Sequence, residues 1–579
     1  MRLSGAQALV KTLVALGVRR VFGIPGAQNL ELFDVFLDED VEVVLSTHEA
    51  SAAFMADATA RLTGRPGVLA VVPGPGLTNT FTGIAEAFQD SIPVVLIAAG
   101  IREELPFRYQ LHEIPQLDAV RPLAKGVYPL RNVEEIPRLV AEAYRKAASG
   151  EPGPVVIELP SDLAMDRAAL EIAPGPAPEP PAPSPGEVRR IVEILQGARR
   201  AGIYVGQGTF GATRELAELA EILQAPVATT ISGRGAIPDD HPLAVGFGFG
   251  PSGHPAAQMA FARCDAVLAV GCKFSEVGTG SYGLKQPGRL VHVDANPDVA
   301  DRNYPADVFV AADAAKTLAA LSTELGGYRA LPDQEMLAGI EAEKKKVGEE
   351  AISHACKESQ VSPDRFFALL RKAAARDAIL AVDSGNHMFW ALSHFPVYGP
   401  RTFLAPVDYQ SMGYGTPAMV AAAIEHPGRQ VLGVVGDGCF LMTGSEIVTA
   451  ARNDLPVALF VFNDGGLGII GQIQRKMYQR MSSVRLTNPD YEKLAAAYGM
   501  EYARIGSDVE IEEKLSQILP ARRPTLVNVL VSYDHPTRYF VGTTKANLRH
   551  FGAARVLGMA LRAVKRRFFP APTKPPRVT

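Results

Sequence analysis

Residues 431–438 read VLGVVGDG and residues 456–466 read PVALFVFNDGG, so two apolar segments each end in glycine and aspartate. The residues between them carry the spacing of a helix. A strand, a helix and a strand of this length form a right-handed crossover, which brings Asp437 and Asp464 to the same edge of a parallel sheet. The glycines beside Asp437 predict a turn whose bare backbone lets a phosphate approach. Because Mg²⁺ prefers carboxylates together with phosphate oxygens, the pattern predicts a site for a diphosphate and its metal.

A second group of residues lies near the N-terminus. An apolar strand at residues 41–45 is followed by His48 and Glu49 at the start of a helical stretch, and residues 74–79 read GPGLTN. Alone, neither group is specific, because Gly-Asp-Gly also makes ordinary turns and glutamate is generally favoured at a helix N-terminus. Their combination carries a resemblance to a known family.

Over about residues 1–535 the chain resembles the thiamine-diphosphate-dependent 2-oxo acid enzymes, most closely the acetohydroxyacid (acetolactate) synthase group. The resemblance implies thiamine diphosphate and Mg²⁺ as cofactors. It implies an enzyme that decarboxylates a pyruvate-like 2-oxo acid and joins the product to a carbonyl acceptor. It also implies an α/β fold of three doubly wound parallel-sheet domains (pyrimidine-binding, middle and diphosphate-binding) followed by a basic tail. The alternation of helical and apolar strand-like segments agrees with such a fold.

Composition shifts predict the domain bounds. Seven prolines within residues 174–186 predict an extended linker. Ser362-Pro363 predicts the start of a helix early in the third domain. We expect the first domain at residues 1–172, the middle domain at 187–327, the third at 355–535 and the tail at 536–579.

The composition limits the class of protein. A length of 579 residues with 47% hydrophobic content predicts three or four domains with large cores. No run of about 18 apolar residues and no signal-peptide core is present, so we expect a cytoplasmic protein. The four cysteines lack metal-ligand spacing and are interpreted as reduced packing residues.

The resemblance assigns roles at the cofactor. Glu49 would hold the pyrimidine nitrogen so that the cofactor can lose its thiazolium proton. Met412 would be the apolar wedge that bends the cofactor, and the backbone of Gln410 and Met412 would hold the pyrimidine. Metal ligands would be Asp437, Asp464 and the Gly466 carbonyl; the family usually has asparagine where Asp464 stands. The other implied cofactor contacts are Pro25, Gly26, Gly74, Asn79, Ser384, Gly385, Asn386, His387, Gly436, Gly438, Cys439, Leu467, Gly468 and Ile469.

Substrate residues are less specific. His112 stands where the family has an active-site glutamine and could act in catalysis by moving protons or binding a carboxylate; a satisfied surface histidine is the alternative. Ile473 replaces the tryptophan that shapes the acceptor pocket in the synthases, which leaves the acceptor open. An apolar wall on the segment after Asp464 favours pyruvate as the donor. The implied substrate residues are Ala27, Gln28, His112, Ile469, Gln472 and Ile473.

Several other functions fit the same residues. A 2-hydroxyacyl-CoA lyase is an alternative because residues 113–121 resemble that family equally well. A 2-oxo acid decarboxylase, a diketone hydrolase and an inactive cofactor-binding subunit are further alternatives.

The glycines of residues 206–211 match a dinucleotide fingerprint, but residues 225–235 lack the acidic residue that would hold the ribose. FAD is doubtful, since residues 271–277 lack both arginines of the FAD-binding members.

The resemblance places the active site at a subunit interface and implies a homodimer or homotetramer.

The tail, residues 536–579, carries ten Lys/Arg and no Asp/Glu, so it adds +10 to a body of net charge −14. Residues 553–567 predict an amphipathic helix docked on the acidic body, with Val556, Leu557, Ala560, Leu561 and Val564 apolar. Contact of the tail with an anionic membrane or with CoA phosphates is a less favoured alternative. No nucleic-acid partner is expected, because no aromatic-interleaved basic motif is present.

Overall fold

Three parallel six-stranded sheets, each flanked by helices and each in a different third of the chain, confirm the predicted α/β fold class. The computed structural model describes residues 2–177, 179–286, 288–356, 360–520 and 522–552, together with residues 555, 557, 558, 561, 562 and 566. No helix in these ranges is long and apolar enough to cross a membrane. The exact domain bounds remain predictions.

The first sheet has the strand order β3-β2-β4-β5-β7-β6, while β1 and β8 pair separately in an antiparallel ribbon. The central strands β4, β5 and β7 are apolar and fully buried, as expected for parallel strands covered on both faces. The elements are β1 (Arg2–Ser4), α1 (Gly5–Ala15), β2 (Arg20–Gly23), α2 (Leu30–Asp38), β3 (Glu42–Leu45), α3 (Glu49–Thr63), β4 (Gly67–Val71), α4 (Pro75–Asn79), α5 (Phe81–Gln89), β5 (Val94–Gly100), α6 (Gln116–Val120), β6 (Gly126–Pro129), α7 (Ile136–Ala148), β7 (Val155–Pro160) and β8 (Arg167–Ala169).

The second sheet has the order β11-β10-β9-β12-β13-β14. The proline-rich linker enters helix α8 through Ser184, whose side chain caps the helix with Glu187. The Pro181 carbonyl accepts from the Asp313 amide at 2.9 Å, so the linker lies against this domain. The elements are α8 (Pro185–Gly197), β9 (Ala201–Val205), α9 (Thr213–Leu223), β10 (Val227–Thr229), β11 (Ala244–Phe247), α10 (Pro255–Phe261), β12 (Ala266–Val270), β13 (Arg289–Asp294), β14 (Val308–Ala311), α11 (Ala314–Leu325) and α12 (Gln334–Ser353).

The third sheet has the order β16-β15-β17-β18-β20-β19. Its first helix begins at Pro363 after Ser362 as predicted, although the Ser362 hydroxyl donates to Asp508 at 2.8 Å and does not cap the helix. The elements are α13 (Pro363–Ala373), β15 (Ile379–Val382), α14 (Asn386–His394), β16 (Phe403–Leu404), α15 (Gly415–Glu425), β17 (Val431–Gly436), α16 (Asp437–Thr443), α17 (Ile447–Arg452), β18 (Val457–Asn463), α18 (Gly468–Tyr478), α19 (Tyr491–Ala497), β19 (Glu501–Ile505), α20 (Ile511–Ile518), β20 (Thr525–Leu530) and α21 (Arg538–His550).

The prediction of a turn at residues 436–438 is wrong in detail. Strand β17 continues to Gly436, and helix α16 begins directly at Asp437. The parallel pairing of β17 with β18 nevertheless confirms the predicted crossover. Asp437 therefore occupies the first turn of a helix, where the amide groups favour negative charge.

A buried charge network joins the first domain to the third. The Arg61 guanidinium pairs with Asp57 at 2.6 Å and with Asp90 at 2.8 Å. Asp90 also accepts from the amides of Val407 and Asp408, at 2.9 and 2.7 Å. Because these charges are buried and paired, the network fastens the chain segment before Gln410 to the first domain.

Part of the C-terminal segment packs on the body. The Tyr539 hydroxyl of α21 donates to the Val277 carbonyl at 2.8 Å, and its ring stacks on Phe389 with centroids 4.2 Å apart. Most of the predicted helix at residues 553–567 lies outside the described residues. Leu557 and Leu561, which are described, are exposed.

Candidate active site

Asp437 is held rigidly at the carboxyl edge of the third sheet. Its side chain is 1% exposed. One carboxylate oxygen accepts from the Gly465 amide at 2.9 Å and from the Asn488 side-chain amide at 2.8 Å, and the other accepts from the Gly438 amide at 2.8 Å. These contacts tie the end of β17 to the loop after β18, so the two predicted motifs meet as expected.

Asp464 lies in that loop, close to the start of α18. A Cβ atom at Gly468 would lie 2.5 Å from the Asp464 carboxylate, so glycine is needed there for the carboxylate to lie against the helix. The surrounding chain removes solvent from this carboxylate and Asp437 repels its charge, which raises the pKa of Asp464 to about 7 although the residue as a whole is exposed. Two carboxylates that repel each other favour a cation between them.

Asp383 organises the neighbouring loops. Its buried carboxylate accepts from the amides of Ser384, Gly413 and Gly415, at 2.8, 2.9 and 2.7 Å. The Cys439 thiol donates to the Ser384 carbonyl at 3.1 Å. The loop after β15, the Gln410–Gly415 loop and the start of α16 therefore form one connected surface.

This surface contains polar atoms without partners. Within the described part of the chain, His387 Nε2 and the Asn386 side-chain nitrogen are buried and make no hydrogen bond. Burial lowers the pKa of His387 to about 3, so its imidazole is neutral. An unsatisfied buried donor such as the Asn386 amide costs about 1–3 kcal/mol, and a ligand oxygen at this place would remove that cost.

Met412 lies over the first turn of α16. A Cβ atom on Gly438 would lie 3.3 Å from the Met412 methyl carbon. The loop that carries Met412 has left-handed backbone at Gln410, with φ +56°, and at Gly413, with φ +97°. The Thr443 hydroxyl donates to the Gly413 carbonyl at 2.6 Å and fixes the loop. The methionine side chain is thus presented beside Asp437 by a constrained loop.

A second group of predicted residues gathers in the first domain. Glu49 is the first residue of α3, and its carboxylate accepts from the Asn79 side-chain amide at 3.0 Å. Gly74 has φ +63°, and its amide donates to the Gln116 side chain at 3.1 Å. Asn79 is exposed and Glu49 is partly exposed, so this half of the site is open to solvent.

Three loops of the first domain converge beside Glu49's helix. The Gln28 side chain donates to the Leu111 carbonyl at 3.5 Å, and a Cβ atom on Gly74 would lie 2.8 Å from the His112 carbonyl. Gln28 Oε1 and His112 Nδ1 are buried without a partner among the described residues. The structure thus brings His112 together with the loop of Pro25, Gly26, Ala27 and Gln28.

The remaining predicted residues belong to the third domain. Leu467, Gly468, Ile469, Gln472 and Ile473 form the start of α18 or directly precede it, next to Asp464 and Gly466. The hydrogen-bond partners of Glu49 and those of Asp437 lie in different domains. The predicted residues therefore form two half-sites within one chain.

Comparison with known proteins decides the family. Residues 3–120 match the thiamine pyrophosphate enzyme N-terminal TPP binding domain, residues 188–321 the central domain, and residues 383–529 the C-terminal TPP binding domain. The chain is 34% identical to the probable acetolactate synthase large subunit of Methanocaldococcus jannaschii, over 91% of this chain and 92% of that protein. The chain belongs to the thiamine pyrophosphate enzymes.

Two further relatives have related names. The chain is 33% identical to the acetolactate synthase of Mycobacterium bovis, over 92% of this chain and 89% of that protein. It is 31% identical to the acetolactate synthase isozyme 3 large subunit of Escherichia coli, over 92% and 95%. The similarity therefore extends across all three domains.

The donor set fits the thiamine pyrophosphate of this family. In the third domain, two carboxylates that repel each other lie near two buried nitrogens without partners. That arrangement suits a divalent cation together with phosphate oxygens. In the first domain, the Glu49 carboxylate offers an acceptor at a fixed position beside Asn79.

The middle domain borders a small cavity whose wall carries both acidic and basic side chains. A cavity of about 280 Å³ lies between the three domains. This volume is below the usual range for small-molecule sites and is small for a dinucleotide. Lys273 on its wall pairs with Glu151 at 3.4 Å and donates to Ser91 at 2.9 Å. Burial raises the pKa values of Asp294 and Asp408, both on the wall, to about 6. Arg61 and Arg401 also line this cavity, so its wall carries charges of both signs.

Packing explains two of the three dinucleotide-like glycines, Gly206 and Gly208, of this thiamine pyrophosphate enzyme. A Cβ atom on Gly206 would lie 2.0 Å from the Gly271 carbonyl, and one on Gly208 would lie 2.8 Å from the Gly271 Cα. These glycines let the turn after β9 approach the end of β12. They serve a contact between two loops of the protein.

Sequence reasoning missed three residues of the site. Asp383, Asn488 and Gln116 each hold a predicted residue or loop in place through hydrogen bonds. Asp383 had a local signal, since it follows β15 directly and precedes the Ser384–His387 motif. Asn488 lies 51 residues from the Asp437 that it contacts, and no local pattern marks it.

Proposed function

We propose that this protein is a carboligase that uses thiamine diphosphate and Mg²⁺, decarboxylates a pyruvate-like 2-oxo acid and joins the product to a carbonyl acceptor. The observation that carries the proposal is the group of Asp437, Asp464, Asn386 and His387, which combines two carboxylates with two unpartnered buried nitrogens. The relatives named acetolactate synthases support the reaction class.

Each half-site would have its own task. The bound cofactor would supply a nucleophilic carbon for the 2-oxo acid carbonyl and an electron sink for the decarboxylation. Asp437, Asp464 and the Gly466 carbonyl would hold the metal, and His387 and Asn386 would donate to the diphosphate. Glu49 would hold and exchange the proton of the pyrimidine nitrogen. Met412 would support the bent shape of the cofactor, since its flexible thioether fills irregular gaps.

The start of α18 would form the donor pocket. Ile469 and Ile473 are half-buried there, next to Asp464. Apolar side chains suit the methyl group of pyruvate and offer no proton donor. His112 and Gln28, each with a buried unpartnered atom, would contact the polar groups of the substrate from the first domain.

We propose a homodimer as the smallest active unit, with a homotetramer as a larger assembly. Glu49 and Asn79 are accessible in the single chain, as are Leu441 and Met442 on the helix that begins at Asp437. A partner subunit would cover these apolar side chains and place its own Glu49 over this chain's metal ligands.

The reaction can be tested with two substrates. The protein loaded with thiamine diphosphate and Mg²⁺ is incubated with pyruvate and, separately, with a 2-hydroxyacyl-CoA. We expect pyruvate consumption with formation of acetolactate or acetoin. Formyl-CoA release without pyruvate consumption would identify a 2-hydroxyacyl-CoA lyase, and no turnover of either compound despite cofactor binding would indicate an inactive subunit or another donor.

Metal affinity should depend on pH through Asp464. In the metal-free protein the raised pKa, about 7, keeps Asp464 protonated below neutral pH. Mg²⁺ requires the ionised carboxylate, so affinity should be full above pH 7 and should fall as the pH falls to 6 and 5. We expect Asp464→Asn to flatten this dependence. Titration with Mg²⁺ at saturating thiamine diphosphate, followed by circular dichroism at each pH, measures the effect.

The cofactor phosphate titrates in the same way in Asp464→Asn and in the unaltered protein. The difference between their pH dependences of Mg²⁺ affinity therefore reports on Asp464. Equal pH dependence in Asp464→Asn and the unaltered protein would contradict the assignment of Asp464 as a metal ligand.

A further inference from the structure

Two histidines and two aspartates, none of them assigned a role above, gather where three helices meet. His354 is the C-cap of α12, and Asp364 lies in the first turn of α13. Asp534 and His535 lie between β20 and α21. The cluster therefore joins the end of the middle region, the start of the third domain and the start of the C-terminal helix.

Asp364 is the centre of this cluster. Its side chain is 8% exposed, while both histidines are partly exposed. His354 Nδ1 lies 2.9 Å from the Asp364 carboxylate, and His535 Nε2 lies 3.7 Å from it. One ligand atom from each of His354, Asp364 and His535 lies within 4.8 Å of the other two. The imidazole rings are nearly perpendicular, at 84°, with centroids 4.4 Å apart.

Asp534 sets the orientation of His535. A carboxylate only accepts hydrogen bonds, so the contact between Asp534 and His535 Nδ1 places a hydrogen on Nδ1. In the neutral imidazole the lone pair of Nε2 then faces the Asp364 carboxylate. A lone pair and a carboxylate repel each other, so a proton or a metal cation must lie between them. A carboxylate behind the distal nitrogen is also the usual support of a metal-bound histidine.

We propose that His354, Asp364 and His535 bind a divalent transition-metal cation of the Zn²⁺ type, with Asp534 holding His535 in the binding orientation. Two imidazoles and one carboxylate suit Zn²⁺ and its neighbours, whereas Mg²⁺ and Ca²⁺ prefer oxygen ligands. The cation replaces the proton that His354 Nδ1 shares with Asp364, and this proton is released to solvent. Water completes the coordination.

Such a site would fasten the C-terminal helix. Helix α21 is otherwise held at its start by the ion pair of Arg538 with Glu350, at 2.8 Å, and by Tyr539. The proposed metal adds a bond from the segment directly before α21 to both α12 and α13. Metal binding should therefore raise the temperature at which the full-length protein unfolds.

Cobalt titration tests the site directly. Full-length protein is treated with chelator, dialysed, and loaded with excess thiamine diphosphate and Mg²⁺ so that the other proposed metal site is filled. We expect one Co²⁺ per chain with visible absorption bands, a higher unfolding temperature and displacement of Co²⁺ by Zn²⁺. His354→Asn and His535→Asn should lose the bands at concentrations that saturate the unaltered protein. Asp534→Asn should bind about 10–100-fold more weakly.

His241→Asn is the matched control, since His241 contacts a single carboxylate, Glu221, at 3.4 Å. It should keep the Co²⁺ bands. Circular dichroism establishes that each variant is folded, and Asp534→Asn, which retains every ligand, serves if the ligand variants do not fold. Failure of the unaltered protein to bind Co²⁺, or equal binding by the unaltered protein and the folded variants of the cluster, would overturn the metal site and leave a proton-sharing network.

Discussion

Glu49→Gln should lose most turnover, on the order of 10²–10⁴-fold, while it still folds and binds thiamine diphosphate with Mg²⁺. The contact of Glu49 that the structure shows is the hydrogen bond accepted from Asn79 at 3.0 Å. A glutamine oxygen can accept the same bond, so the local structure should persist. The substitution removes only the capacity to hold and exchange a proton. Steady-state kinetics with pyruvate, together with cofactor binding by circular dichroism, measure both parts.

Glu31→Gln is the matched control for this prediction. Glu31 is exposed in the first turn of α2, in the same domain, so like Glu49 it lies in the first turn of a helix, and its side chain makes no hydrogen bond or ion pair with the described residues. We expect its turnover to equal that of the unaltered protein. Unchanged turnover in Glu49→Gln would refute the assignment of Glu49 to the cofactor.

Asp437→Ala should abolish Mg²⁺-dependent retention of thiamine diphosphate. Removal of a residue that only supports a metal ligand already lowers metal affinity about 10–100-fold. Removal of the ligand itself should lower the affinity further. The variant also loses the three hydrogen bonds that Asp437 accepts from Gly438, Gly465 and Asn488. Equilibrium dialysis of the cofactor with and without Mg²⁺ measures retention.

Asn488→Ala separates the loss of a ligand from the loss of support. It removes one hydrogen bond to Asp437 but keeps the carboxylate. We expect this variant to retain Mg²⁺-dependent binding with lower affinity. If Asp437→Ala binds the cofactor with the same dependence on Mg²⁺ as the unaltered protein, the metal has been placed on the wrong residues.

The parts of the fold with a strong local pattern could be predicted. Strand β18, which is apolar from Val457 to Phe462, begins one residue after the start of the apolar segment at Pro456. The helix start at Ser362-Pro363 was also predictable, because proline has the required φ and lacks the amide hydrogen that would otherwise be unsatisfied. Short edge strands such as β11 and β16 were not predicted, because four or two residues carry too little periodicity.

The residues of the candidate site also include some that could be predicted from local motifs and some that could not. Asp437, Asp464, Glu49 and the glycines beside them stand in contiguous motifs, so their residue types and spacing were readable along the chain. Gln116, whose amide joins Gly74 to the Ala99 carbonyl and to Glu158, stands in the family-like segment 113–121, but nothing in that segment indicates these contacts. Its role arises from loops that meet only after the first sheet has formed.

By itself, the sequence determined the three α/β domains, the crossover that brings Asp437 and Asp464 to one sheet edge, and the residues proposed to contact the cofactor. Local spacing and chain connectivity are sufficient for the crossover, whereas the resemblance to a known family supplied the roles of the residues at the cofactor. Only the tertiary structure decided that Asp383 and Asn488 hold the site together, that His387 is neutral, and that His354, Asp364 and His535 meet. These properties depend on burial and on contacts between distant segments, which become defined only when the domains and α21 pack together.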